Sequence, residues 1–222
     1  MSRAARVGIF GGTFNPVHLG HLHAAEEVLD ALGLERMVFV PSGEPPHKTA
    51  SEKDPIAPAS LRLAWVRAAT ADNPRFSVDP VEVERGGASY SVETLRTLGA
   101  RFAPDLPVFV IGEDAFAEVG MWREPEALFT LANFAVITRP HRAADAARHW
   151  LPARVQGAFE LSRDGRSARH RAAGTWARLL PIAALDVSSS EIRARLRSGR
   201  SVRYLLPETI LEDVLQSRVY AA

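Results

Sequence analysis

His18 and His21 flank Gly20 within the run Gly11-Gly12-Thr13-Phe14-Asn15-Pro16-Val17-His18-Leu19-Gly20-His21. The run follows an apolar stretch at residues 7–10 and precedes an amphipathic stretch at 24–32 that stops at Gly33, so it lies where a strand passes into a helix. An open α/β sheet holds its ligand at that kind of junction. Gly11 and Gly12 carry no side chain, which lets a ligand approach the main chain. A helix starting near Leu19 aims free N–H groups and its positive dipole end at the same space. Histidines three residues apart put both imidazoles on one face of the first turn. Gly20 keeps the surface between them low. Backbone donors with two imidazoles form a cradle for a polyphosphate.

Other phosphate and metal motifs fit less well. No Gly-Lys dipeptide occurs, so there is no P-loop, and Gly8, Gly11 and Gly12 do not make G-x-G-x-x-G. With no cysteine and no H-E-x-x-H, a zinc role for His18, His21 and His23 has little support, and no metal ligand is assigned. The plain alternative is a glycine-rich turn with incidental histidines.

The pattern T-x-x-x-x-H-x-G-H, here Thr13 to His21, resembles the nucleotidyltransferase superfamily that shares H-x-G-H with class I aminoacyl-tRNA synthetases. Within it the chain is most similar to the bacterial nicotinate mononucleotide adenylyltransferases, over nearly its whole length. The resemblance implies that Gly11, Gly12, Thr13, Phe14, His18 and His21 meet ATP. It implies that Gly112 and Asp114, a G-x-D element, touch the adenosine ribose. Ser188-Ser189-Ser190-x-Ile192-Arg193, followed by Tyr204-Leu205-Leu206-Pro207, is similar to a second family element that would hold the β- and γ-phosphates. Pro45-Pro46-His47-Lys48 would bring Lys48 to the phosphates as a point charge. Ser89-Tyr90-Ser91-x-x-Thr94 would receive the nicotinate carboxylate at a helix start, Trp122 would stack on the pyridine ring, and Arg139 would fork onto the mononucleotide phosphate. Four positions depart from the family pattern. Arg123 stands where some relatives carry an aromatic residue, Ser91 and Ser190 where Thr is usual, and Ser42-Gly43 where an Asn often follows the proline.

The implied reaction is adenylyl transfer from ATP to nicotinate mononucleotide, giving deamido-NAD and pyrophosphate. His18, His21, Lys48 and Arg193 would be the catalytic groups, with Mg2+ held mainly through ATP phosphates and water. The alternatives are another H-x-G-H transferase, such as a phosphopantetheine adenylyltransferase, or a nucleotide-binding module without catalysis.

At 222 residues the chain is expected to be a single nucleotidyltransferase domain over 1–222. A net charge of +1 gives no general field for nucleic acid or an anionic membrane, so neither is expected as a partner. The absence of cysteine, of a leader pattern and of a long apolar run suits a cytoplasmic protein, and a homo-oligomer stays open. All the basic residues except Lys48 and Lys53 are arginine, which reads as codon bias.

Short apolar runs alternate with helical stretches, which predicts an α/β fold: a Rossmann-like open parallel sheet, helices on both faces, and C-terminal helices. Strands are expected at 36–40, 107–111, 134–138 and 182–185, with one or two more within 76–84. Helices are expected at 59–71, 91–98 capped by Ser89 or Ser91, 125–131, and from Ser188 to Leu196 capped by Ser189 or Ser190. A final helix should start at Pro207. A Pro-rich loop spans 41–58. Residues 139–178 hold nine Arg against three acids with weak apolar patterning. They read as a solvated excursion rather than an electropositive lip over the ligand.

Overall fold

A computed structural model describes residues 6–46, 54–138, 150–183 and 185–221. One sheet carries the strands β1 (Val7–Gly12), β2 (Arg36–Pro41), β3 (Phe76–Val78), β4 (Val108–Gly112), β5 (Asn133–Thr138), β6 (Phe159–Leu161), β7 (Ser167–His170) and β8 (Trp176–Pro181). Their order is β3-β2-β1-β4-β5-β8-β7-β6. The six strands from β3 to β8 run parallel, while β7 is antiparallel to β8 and β6 to β7. The chain winds outward from β1 to β3, then returns to β4 on the other side of β1. The switch point therefore falls at the carboxyl ends of β1 and β4, where Gly11, Gly12 and Gly112 lie.

The central strands β1, β2, β4 and β5 are largely buried on both faces, successive residues pointing to opposite sides of the sheet. Phe10, Met37, Phe39, Val108 and Val110 meet α1 (Leu19–Leu32), α2 (Ala59–Thr70) and the C-terminal helices on one side. Ile9, Val38, Val40, Phe109 and Ile111 pack on the other side with α4 (Ser91–Phe102) and α6 (Pro125–Leu131). Between these helices come the short α3 (Val81–Arg85) and α5 (Glu113–Ala117). After β5 come α7 (Ala153–Gln156), α8 (Ser189–Arg197) and α9 (Glu208–Ser217).

Three expectations need correction. The strand expected at 182–185 lies earlier, at Trp176–Pro181. Only Ile182 carries the pairing on, through its N–H to the Thr138 carbonyl. The alternating run Val81-Glu82-Val83-Glu84-Arg85 is a helical turn, started by Asp79 accepting the Val81 N–H. The described part of the Arg-rich segment, from residue 150, is no solvated excursion. It supplies three sheet strands and buries Trp150, Leu151, Val155, Phe159, Ala168 and Ala177. Its arginines occupy the outward positions of an alternating pattern, as Arg169 and Arg178 do. Residues 139–149 of that segment lie outside the described residues.

Candidate active site

The loop from Gly12 to His18 is held by its own side chains. Phe14 takes the left-handed backbone conformation, φ 48°, and its ring is buried edge-on to His21 at 5.0 Å. A Cβ on Gly12 would meet that ring at 2.9 Å, so this glycine serves packing as well as ligand approach. Phe14 can therefore offer a ligand its main chain but not its side chain. Asn15 ties the loop to distant chain. Its Oδ1 accepts from the Ala57 N–H at 2.9 Å and the Tyr220 hydroxyl at 2.5 Å, and its Nδ2 donates to the Pro55 carbonyl at 3.0 Å.

His18 caps α1 and His21 lies one turn in. The His18 N–H donates to His21 Nδ1 at 3.2 Å, so a neutral His21 carries its proton on Nε2. The two rings stack with centroids 3.7 Å apart. His18 is 6% exposed, and its Nδ1 is buried with no hydrogen-bond partner. Burial pushes its pKa down from 6.5 to about 4. His18 is thus a neutral dipolar donor at neutral pH, and not a cation. Gly20 is also a packing requirement, because a Cβ there would come within 2.8 Å of Val187 and 3.1 Å of the His18 ring.

The low pKa of His18 has a consequence for stability. The unfolded imidazole takes up a proton near its ordinary value of 6.5, the folded one only near 4. Stability is therefore complete above pH 6.5 and falls as pH drops toward 4. The loss is on the order of 3 kcal/mol. Urea unfolding between pH 7.5 and 4 should show a smaller acid loss in His18→Gln than in the parent, and equal losses would contradict the assignment.

A cavity of about 280 Å³ opens at the switch point. One side is the carboxyl end of β1 (Gly11, Gly12, Thr13) with Gly112 of β4. The other is the start of α4 (Tyr90, Ser91, Val92, Thr94) with Trp122 and Arg123, while Ser42, Pro45, Pro46 and Glu82 lie along the loop side. Helix α4 begins without a side-chain cap at Tyr90. Ser89 does not cap it. Its hydroxyl instead accepts the Gly43 N–H at 2.8 Å, joining the α4 start to the loop after β2. Thr94 is buried and donates to Glu82, whose carboxyl is pushed above the usual range by burial.

Sequence reasoning passed over Arg62, which organises the loops around this cavity. It is 1% exposed and donates to four carbonyls: Ala57 at 2.8 Å, and Thr13, Ser42 and Gly43 at 2.7 Å each. One guanidinium thereby ties the β1–α1 loop to both ends of the β2–α2 loop. Only an arginine in an otherwise apolar helix pattern, Leu61-Arg62-Leu63-Ala64-Trp65, hinted at it.

The second helix opening lies against the first. Ser189 donates to the Pro16 carbonyl at 2.9 Å, and Arg193 Nη1 donates to the Asn15 carbonyl at 2.9 Å. Ser188, and neither Ser189 nor Ser190, caps α8, its hydroxyl accepting the Glu191 N–H at 3.2 Å. Arg193 also forks onto Asp54 at 2.7 and 2.6 Å, which holds the Asp54 carboxyl below its ordinary pKa. His18, His21, Ser188 to Ser190 and Arg193 do not line this cavity; Ser189 and Arg193 meet the β1–α1 loop at Pro16 and Asn15 instead. Asp114 sits exposed in the first turn of α5, which Gly112 caps. His47, Lys48 and Arg139 lie outside the described residues.

A family model described as cytidylyltransferase-like matches residues 9–195, the span that holds all these elements up to α8. A protein of Geotalea daltonii named a probable nicotinate-nucleotide adenylyltransferase is 42% identical over 97% of this chain and 98% of its own length. The chain belongs to the nicotinate-nucleotide adenylyltransferase family. A second relative in the family, from Citrifermentans bemidjiense, carries the same name at 41% identity, again over 97% of this chain and 98% of its own. The fold is shared more widely. A Plasmodium falciparum nicotinic acid mononucleotide adenylyltransferase complexed with NaAD superposes with a TM-score of 0.70 at 15% identity, covering 97% of each chain.

Proposed function

We propose that the chain transfers the adenylyl group of ATP to nicotinate mononucleotide, giving deamido-NAD and pyrophosphate. One observation carries this reading: a single cavity has the glycine backbone at the carboxyl ends of β1 and β4 on one side, and Trp122 with an uncapped helix start on the other. That arrangement suits a phosphate-linked nucleotide with a flat ring at its far end.

The mononucleotide phosphate attacks the α-phosphorus of ATP in line, and the bond from that phosphorus to the bridging oxygen of pyrophosphate breaks. The attacking oxygen is already anionic near neutral pH, because the second phosphate pKa is about 6. No protein base is required. Positioning and charge stabilisation then supply the catalysis. The main chain of Gly11 and Gly12 and the His21 Nε2–H would face charge as it develops, beside the buried, neutral His18 ring, while the Leu19 and His21 N–H groups are taken by the Leu205 and His18 carbonyls. Family kinship supports Lys48 and Arg139 as further phosphate cations. Arg193 braces the Asn15 carbonyl and reaches the phosphates by exchanging Asp54 for them. Among the described residues no group of three His, Asp or Glu side chains stands ready for a metal. The donor set fits Mg2+ carried in on the triphosphate, held by phosphate oxygens and water, where it would neutralise charge on the leaving group. No described helix is long and apolar enough to cross a membrane.

Pyrophosphate release measured with ATP and, in turn, nicotinate mononucleotide, nicotinamide mononucleotide and phosphopantetheine tests the reaction. Turnover with the pyridine nucleotides alone is expected, and turnover only with phosphopantetheine would reject it. Trp122→Ala is expected to raise KM for the mononucleotide about tenfold by loss of stacking while leaving KM for ATP unchanged. A rise in the ATP constant instead would place Trp122 at the other substrate.

A further inference from the structure

Arg123 places a cation at the ring end of the cavity, beside Trp122. We propose that Arg123 selects a pyridine ring bearing a carboxylate over one bearing a carboxamide. The proposal rests on the adenylyl-transfer reading above.

The guanidinium lies 4.6 Å over the Tyr90 ring, a stacking contact that fixes its plane and leaves its N–H edges to donate sideways. Its Nη1 is 3.3 Å from Glu93 Oε1, and its Nε is 4.0 Å from Glu124 Oε1. Both partners are open to water: the Arg123 side chain is 51% exposed and Glu93 33%. Glu93 is also shared with Arg85 at 3.7 Å. Exposed pairs of this kind are weak and exchange readily for a ligand carboxylate. Helix α4 adds to the preference, because its uncapped first turn presents Ser91 and Val92 to the same cavity. A carboxylate there receives a charge-assisted hydrogen bond with the helix dipole behind it, whereas a carboxamide gains neither charge interaction.

Steady-state kinetics and calorimetric binding of the full chain with each mononucleotide test the proposal. Arg123→Gln is expected to raise KM and Kd for nicotinate mononucleotide about tenfold, the loss of one charged hydrogen bond. The constants for nicotinamide mononucleotide and ATP, and kcat, should stay within about twofold, the limit for a change confined to one ligand charge. Arg123→Lys should recover part of the preference. Glu93→Gln, which releases the guanidinium, should strengthen it. Equal changes for both mononucleotides, or none for either, would overturn the proposal. A carboxylate preference that Arg123→Gln abolishes, seen in binding while no variant turns over, would sink the adenylyl reading and keep the role of Arg123.

Discussion

Replacing His18 or His21 by alanine is expected to lower turnover about 100-fold or more, the usual cost of losing one preorganised donor at a site of developing charge. The structure gives the physical reason. The His18 N–H donates to His21 Nδ1, which puts the proton of a neutral His21 on Nε2. His18 keeps an unpartnered Nδ1 and stays neutral through burial, so it is a fixed dipole that needs no reorganisation as charge moves. His21→Ala should lower kcat with little change in melting temperature. His18→Ala also removes a buried unpaired polar atom, so it should not destabilise by more than a cavity of its size. Steady-state turnover at saturating ATP and mononucleotide measures both, with circular dichroism to confirm folding. Turnover within about threefold of the parent in either variant would contradict a role in transition-state stabilisation.

Arg62→Ala is expected to give the largest loss of stability of any single change near the site. It strands the carbonyls of Thr13, Ser42, Gly43 and Ala57 without a donor and opens a cavity. Losing a buried charged group that serves several acceptors costs about 3–5 kcal/mol, which for a chain of this length lowers the melting temperature by about 10 °C or more. Arg62→Met fills most of the space and should still lose most of that stability, because packing is restored but the carbonyls remain unpaired. Thermal unfolding measures the effect, and a shift below about 2 °C would mean water replaces the guanidinium at little cost. Activity should fall with stability, since Thr13 and Ser42 both line the cavity.

The site was more legible in the sequence than the supports beneath it. The Gly11 to His21 run, the strands β1, β2, β4 and β5, and the α4 start could be read because spacing and local composition carry them. Arg62, Asn15 and Tyr220 could not. Their partners lie far away in sequence, as in Tyr220 on Asn15, and nothing at either position signals the pairing. The run Val81 to Arg85 alternates as a strand does, but Asp79 accepts the Val81 N–H and Glu82 turns inward to Thr94 and Ser89, so these side-chain contacts override the local period. The strands β6 to β8 were hidden by arginine density. Trp176-Ala177-Arg178-Leu179 alternates correctly, yet Arg178 stacks on Trp176 at 4.5 Å and reads as surface. The glycines of the motif were read as openings for a ligand. Gly12 and Gly20 in fact make room for Phe14, His18 and Val187 as well.

A crystal structure of the full chain with deamido-NAD bound tests the account most directly. The adenylate phosphate should lie within hydrogen-bond reach of the His21 ring and beside the Gly11–Gly12 main chain, with the pyridine ring against Trp122 and its carboxylate at the start of α4. A dinucleotide bound in the reverse sense, or away from the crevice between β1 and β4, would contradict it.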